Sequence, residues 1–311
     1  MARNTAVQRG GEKNYLFWLL GGIFIAALAV ILAFAFAPAL SFLPLEGCVG
    51  VVKIDGPIVS QDIGATIFSD EVKGAETIAE EIRSADERQE VKSVLVIIDS
   101  PGGSVVGSKE IYDAIMSLNK SSVAYINEMA ASGGYYVAAA NDYIVSQPDA
   151  ITANIGARAT FADMSGLFEK IGFNETTIKT GAMKDIGSSS RPMTIEERAV
   201  LESIINESFQ EFRSDVERGR GERLKRVEFQ TVLDARIVSG RQAKKIGLVD
   251  ELGNKKLAIK KAAELGGIKS EEPSLCDLSE GQGRKGLFGS LSSQAIDFLV
   301  RGAGAPRLSY Q

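Results

Sequence analysis

The sequence predicts an α/β domain with a C-terminal helical region, preceded by one transmembrane helix. Three observations carry this expectation. Apolar, β-branched runs alternate with stretches of helical spacing from residue 48 to about residue 180. From Thr194 the pattern changes to long amphipathic helix. Ahead of both, residues 14–45 contain no charged residue, and about 20 apolar residues suffice to cross a bilayer.

The apolar segment comes first in the chain. Its core, residues 15–43, opens with Tyr15 and Trp18, which suit a headgroup boundary. Arg3, Arg9 and Lys13 against Glu12 give residues 1–13 a net charge of +2, so the rest of the chain carries −7 of the overall −5. That asymmetry predicts an inside N-terminus (1–14), an anchor at 15–43 and an outside body at 46–267, with a tail at 268–311. A cleavable signal peptide has an apolar region of about 7–15 residues, roughly half of this run, so an uncleaved anchor is favoured despite Ala37-Pro38-Ala39. Leu45-Glu46-Gly47-Cys48 faintly resembles a lipidation site, but Glu46 is atypical there and Cys48 opens a strand.

Within the body, residues 48–58 alternate and end at Gly-Pro, as a strand does. A Gly/Ser/Asp loop covers 60–74, and a helix is expected from Ala75. Residues 91–99 form a near-continuous apolar run of the kind buried in a parallel sheet. A tight turn at 100–104 precedes a helix at 105–119, a strand at 122–128, a short helix at 135–140 and a strand at 142–147. An extended turn is expected at 151–157, a helix at 161–171 and a strand at 174–180. Helices are expected from 194 to about 218, at 225–233 and at 254–265. The tail is Gly/Ser-rich around one amphipathic stretch, 287–300.

Composition narrows the chemistry. The 311 residues include no histidine and two cysteines, Cys48 and Cys276. Ser-His-Asp and Cys-His catalysis are therefore excluded, as are histidine-bearing zinc motifs. Two cysteines make at most one bridge and no structural zinc site on their own. The acidic body, without a Lys/Arg run interleaved with aromatics, argues against nucleic acid as a partner.

A hydrolase of this composition needs a nucleophile activated without imidazole. Ser132 stands between a strand and a short helix, flanked by Ala130, Ala131, Gly133 and Gly134. That placement exposes a hydroxyl beside helix N-terminal amides, although a serine there also serves as a plain helix cap. Gly102 and Gly103, after the buried strand, can aim backbone N–H groups into a cleft. Lys184 follows an extended stretch. A lysine acts as a base once neutral, which takes a fall of about 3 units from its reference value near 10.4; burial supplies such a fall.

Ser-Pro-Gly-Gly at 100–103, Ala-Ser-Gly-Gly-Tyr-Tyr at 131–136, Gly-Ala-Met-Lys-Asp at 181–185 and Gly240-Arg241-Gln242-Ala243 running into Gly247-Leu248-Val249-Asp250 form a set. In order and spacing it resembles the signal peptide peptidase SppA family over roughly residues 48–265. The resemblance implies a ClpP/crotonase-like fold with a repeated β-β-α core, and a Ser/Lys protease domain spanning 46–267. Ser132 maps to the nucleophile and Lys184 to the general base. Gly133, Gly102 and Gly103 map to the oxyanion hole. It further implies no metal or cofactor, hydrophobic peptide substrates such as cleaved signal peptides, an outer-face membrane location, and a homo-oligomeric ring or dome in which neighbouring units each supply half of a dyad. Where relatives often place a hydroxyl against the lysine amine, this chain has Asn154, whose amide oxygen can accept the same bond; Thr152 or a residue of 188–190 could substitute.

Rival readings have their own marks. Ser117-x-x-Lys120, Tyr125-x-Asn127 and Lys179-Thr180-Gly181 imitate penicillin-binding enzymes, but Ser117 falls at a helix end and the first two motifs are eight residues apart. A related membrane protease that cleaves stomatin-like partners would share fold and dyad; the 240–250 segment favours the signal peptide peptidase family. A silent crotonase-like scaffold would have no need of both Ser132 and Lys184, and an acyl-CoA enzyme on the outer face would meet no CoA.

Overall fold

A computed structural model describes residues 18–28, 47–65 and 71–279. Residues 18–28 form a separate helical unit with Trp18, Phe24 and Ile25 exposed. The remainder of the expected anchor, 15–43, lies outside the described residues, as does 1–14. Among the described residues no helix is long and apolar enough to cross a membrane.

In the body, strands and helices alternate as expected: β1 (Cys48–Asp55), α1 (Ala75–Glu87), β2 (Val91–Ser100), α2 (Val105–Met116), β3 (Ser121–Ala131), α3 (Gly133–Ala139), β4 (Tyr143–Ser146) and β5 (Ile151–Ala153). Then come α4 (Ser165–Ile171), α5 (Ile195–Arg220), α6 (Arg226–Gln230), β6 (Ile237–Ser239), α7 (Gly240–Ile246), β7 (Glu251–Leu252), α8 (Lys255–Leu265) and β8 (Leu275–Asp277). The fold is mixed α/β. Its sheet runs β6-β5-β3-β2-β1-β8, with β4 paired to both β3 and β7.

Why β2 reads as an apolar run is now visible. Val94, Val96 and Ile98 face one core layer with α1, α2 and α3, while Leu95 and Ile97 face the other. Small residues of α8, Ala258, Ala262 and Ala263, close that second face. A strand covered on both sides has no solvent face on which polar residues could alternate.

β3 positions the site. Its first half pairs in parallel with β4 (Ile126 opposite Ser146) and its second half with β5 (Ala131 opposite Ala153). Two different neighbours thus share one long strand, and its C-terminal end, where Ser132 follows, is left between β2 and β5.

Two features depart from expectation. Residues 174–180 alternate in sequence but form no strand, and Ile178 is 96% exposed. Alternation without a sheet neighbour leaves the backbone donors unpaired, so nothing fixes the extended form. Conversely, β8 lies beyond residue 267, within the expected tail. It pairs in parallel with β1, buries Leu278, and is tied by a Cys48–Cys276 disulfide with Cα atoms 5.8 Å apart. Cys48 is therefore a buried, bridged residue, which removes the lipidation reading.

Candidate active site

Ser132 joins β3 to α3 with φ 53° and ψ −124°. A non-glycine residue held at positive φ is strained, and such strain gathers at functional turns. Neighbouring contacts impose it: the Ser132 amide donates to the Ala153 carbonyl at 2.9 Å, and its carbonyl accepts from the Tyr136 amide at 3.0 Å. Ser132 occupies the N-cap position of α3, yet its side chain makes no capping bond. The hydroxyl is thus not consumed by the commoner structural job of such a serine. It lines two cavities instead.

The glycine turn after β2 packs directly on this serine. Gly102 has φ 91°, and a Cβ there would lie 2.6 Å from the Gly133 nitrogen and 2.9 Å from Ser132 Cβ. A Cβ on Gly133 would meet Ser108 Oγ at 2.2 Å and the Gly103 nitrogen at 3.3 Å. The Gly102, Gly103 and Gly133 backbones therefore converge because none carries a side chain. Gly102 has already spent its amide on Ser100 Oγ at 3.1 Å. No comparable acceptor sits on the Gly103 or Gly133 amide among the described residues. Two amides beside a free hydroxyl are what a developing oxyanion requires.

Asn154 shares one cavity with Ser132 and also has positive φ, 56°. Its amide nitrogen donates to the Ala235 carbonyl at 2.6 Å, which turns Oδ1 into the free end of the side chain. The Thr152 hydroxyl is buried and donates to the Ala130 carbonyl at 2.8 Å. Ser188 and Ser190 bond one another at 2.9 Å. Neither of these pairs reaches the Ser132 cavities.

Lys184 is not brought to Ser132 within the chain. It sits exposed in a turn over 181–187 and lines neither cavity that contains Ser132. The turn belongs to an arm in which α4 buries no residue. The arm is fastened at its base by Arg191, which binds Asp185 at 2.8 Å and Glu197 at 2.9 Å. The guanidinium hydrogen bond pulls the Glu197 carboxyl down to about 2, and Arg191, then Lys179, hold Asp185 well below the usual carboxylate range.

Sequence reasoning missed a polar floor under the site. Lys109 and Tyr136 line the smaller Ser132 cavity along with Phe212. The Tyr136 hydroxyl donates to buried Asp215, and Lys109 lies 3.6 Å from the same carboxylate and 2.5 Å from Asp113. Burial first, then the Asp215 hydrogen bond and charge, push the Tyr136 phenol far above its ordinary range. For Lys109, burial pulls the amine down, but the Asp113 bond and the Asp215 and Asp113 charges outweigh it and raise it. The lysine beside Ser132 in this chain is thus committed to the Asp113 and Asp215 carboxylates, which favour its charged form. The penicillin-binding imitation also dissolves: Ser117 donates to the Ala114 carbonyl, and Lys120 to the Ala85 and Arg88 carbonyls.

An α/β sheet end carrying a strained serine and two converging amides, in a chain without histidine, is the arrangement an imidazole-free serine hydrolase needs. Comparison with known proteins makes the assignment specific. The profile of peptidase family S49 matches residues 114–269, and that of Clp protease matches residues 64–153. A "putative protease" of Methanocaldococcus jannaschii is 38% identical over 228 residues, 73% of this chain and 72% of that protein. A "putative signal peptide peptidase SppA" of Enterococcus faecium is 32% identical, covering 65% of this chain and 60% of that one. The chloroplastic serine protease SPPA of Arabidopsis thaliana is 33% identical over 74% of this chain and 33% of its own length. The chain belongs to peptidase family S49 and is a serine-type peptidase.

Proposed function

We propose that this chain is a membrane-anchored endopeptidase that degrades hydrophobic peptides, cleaved signal peptides among them, with Ser132 as nucleophile and Lys184 as general base. One observation carries the reading: Ser132 is strained, uncommitted, and opens on a cavity beside the Gly103 and Gly133 amides. Ser132 Oγ attacks the peptide carbonyl carbon while its proton passes to neutral Lys184 Nζ. The carbonyl oxygen takes the negative charge facing the two amides. The lysine then returns the proton to the leaving amine, and water deacylates Ser132 by the same route.

Lys184 comes from a neighbouring copy of the chain. Supporting this, the arm exposes Ile171, Phe173 and Ile178, which a partner would cover. Burial in an apolar interface is also what makes a lysine amine neutral near physiological pH. Val105, Tyr136, Ala157 and Phe212 around the smaller cavity suit small apolar residues at the cleaved bond. The apolar run at 15–43 is the anchor, and the Cys48–Cys276 disulfide agrees with a body on the oxidising outer face.

The test is cleavage of apolar, small-residue-rich peptides by the full chain in detergent, with Ser132→Ala as control and a serine-directed phosphonate as label. Turnover and labelling that both vanish in Ser132→Ala are expected. Labelling without peptide turnover, with cleavage confined to a folded stomatin-like protein, would shift the substrate class. No labelling at all would make the chain a scaffold.

A further inference from the structure

The larger Ser132 cavity, about 550 Å³, is lined mainly by glycine, alanine and other uncharged residues. Arg158 is the one charged side chain on its wall. Most other guanidinium groups of the body are committed: Arg191, Arg213, Arg218, Arg220 and Arg236 each hold a carboxylate, while Arg83 and Arg226 form no ion pair among the described residues but lie exposed, away from any Ser132 cavity. Among the described residues no carboxylate lies within ion-pair distance of Arg158. An uncommitted guanidinium on the wall of a cavity that contains the nucleophile is placed to meet a ligand anion.

Its position in the chain says where that anion would lie. Beyond β5 the backbone passes Ser132: Gly156 and Ala157 line both Ser132 cavities. Arg158 follows at once and also lines a neighbouring cavity of about 440 Å³, whose walls are apolar at Phe161, Leu201 and Ile205 and charged at Arg198 and Glu202, which pair with each other at 3.9 Å. A peptide laid along this wall advances about 3.3 Å per residue. A group facing Arg158 is then a few residues from the carbonyl at Ser132, away from the residue held in the smaller cavity.

We propose that Arg158 is a specificity residue that binds a carboxylate of the peptide, a few residues from the scissile bond, by charge-assisted hydrogen bonds. The inference rests on the peptidase reading above. Guanidinium matches a carboxylate in a bidentate fork, which fixes register as well as adding affinity. The carboxylate has two sources, a free peptide C-terminus or an Asp or Glu side chain. If it is the C-terminus, the enzyme trims released peptides from that end, because every cleavage exposes a new carboxylate for the next.

The experiment uses three fluorescent peptides with one apolar core, a free C-terminal acid, its amide, and an amide carrying Glu near the end, plus an amide carrying Lys there for the charge-reversed variant. Binding is measured on the full-length Ser132→Ala chain in detergent, and turnover on the wild-type chain. Carboxylate peptides should bind about fivefold tighter than the plain amide, the size an ion pair at a half-open site reaches. Arg158→Gln in the Ser132→Ala chain should erase the difference, and Arg158→Glu should reverse it in favour of a lysine-bearing amide. Preference for the free acid alone assigns the C-terminus; preference for the Glu amide alone assigns the side chain. Equal binding of all three peptides overturns the proposal. So does an Arg158→Gln chain that weakens all three alike while its mass by light scattering changes, since Arg158 would then be an interface residue. Carboxylate-selective binding without wild-type turnover would keep Arg158 as a carboxylate-binding residue but defeat the peptidase reading, and with it the placement relative to a scissile bond.

Discussion

Ser132 and Lys184, proposed to act in one reaction, sit on parts of the body with opposite physical character. In the sheet that carries Ser132, Val94, Val96, Ile98, Ala124 and Ile126 are fully buried, and β3 is paired over both its halves. Around Lys184, the arm buries almost nothing and is held by the Asp185–Arg191–Glu197 ion pairs. The difference teaches that one chain builds the demanding half of the chemistry alone. Close-packed interiors hold positions to fractions of an ångström, and the nucleophile and its amides need that. Lys184, the proposed base, sits on a surface that exposes apolar groups, and the proposal requires a partner to cover it.

The largest effects should come from the dyad, and they can break the comparison outright. Ser132→Ala and Lys184→Arg should each lower kcat/KM by about 10³-fold or more, since such groups act as a unit and a guanidinium stays charged. Near-normal turnover by Lys184→Arg would remove the arm from the mechanism. Mixing Ser132→Ala with Lys184→Ala after dissociation should restore about one quarter of full activity if each site joins two copies in a symmetric ring. Inactivity despite demonstrated subunit exchange would make the dyad internal to each chain.

The next test contrasts an arginine of each region. Arg220 is fully buried, bonded to Asp250 at 2.7 Å and to the Gly247 carbonyl at 3.0 Å, and so joins α5 to the segment after α7. Arg220→Ala leaves a buried carboxylate behind and should cost about 3–5 kcal/mol in global unfolding. Arg191→Ala should leave the melting temperature of the core nearly unchanged and instead raise protease cleavage within 172–194. Equal loss of Tm in both variants would show that arm and core unfold together.

A smaller effect tests the glycine turn. Gly102→Ala places a methyl 2.6 Å from the Gly133 nitrogen at φ 91°, so the two amides must move apart. Loss of about 10²-fold in kcat with little change in KM is expected. An unchanged kcat would take this turn out of the oxyanion site.

These contrasts also explain what was legible in the sequence. β2 and the tight turn at Ser132 could be read because a doubly covered strand leaves an uninterrupted apolar run and a tight strand-to-helix turn needs small neighbours. The positive φ of Ser132 could not be read, since it arises from the Ala153 and Tyr136 bonds. The Tyr136–Asp215 floor was hidden because Asp215 sits on an amphipathic helix 79 residues later, where an acidic residue looks solvated. Cys48 and Cys276 meet across 228 residues because β8 pairs with β1, and nothing in the short motif LCD announces a strand. The false strand at 174–180 is the reverse case: a local pattern was present but no partner strand.

The smallest effect follows from pH and isolates the arm's fastening. Asp185 and Glu197 are held ionised by Arg191, with Glu197 brought from an ordinary 4.5 to about 2. A carboxyl lowered on folding contributes stability that is fully present above its unfolded value and is lost as pH falls through its folded one. The arm should therefore stay fastened at pH 5 and loosen progressively between about 4.5 and 2. Glu197 is buried and Asp185 mostly covered, but the Arg191 that joins them is 30% exposed, so the change is modest and partly screened by salt. Hydrogen exchange of 181–197 should accelerate severalfold across that window, while amides of β2 and β3 keep their protection. In Arg191→Ala the acid step should shrink, because only Lys179 and the Thr194 amide are then left to hold Asp185 and Glu197 down. If exchange in β3 rises in step with the arm, the contrast between a self-sufficient core and a loosely fastened arm fails. If neither changes down to pH 2, the ion pairs are not what holds the arm.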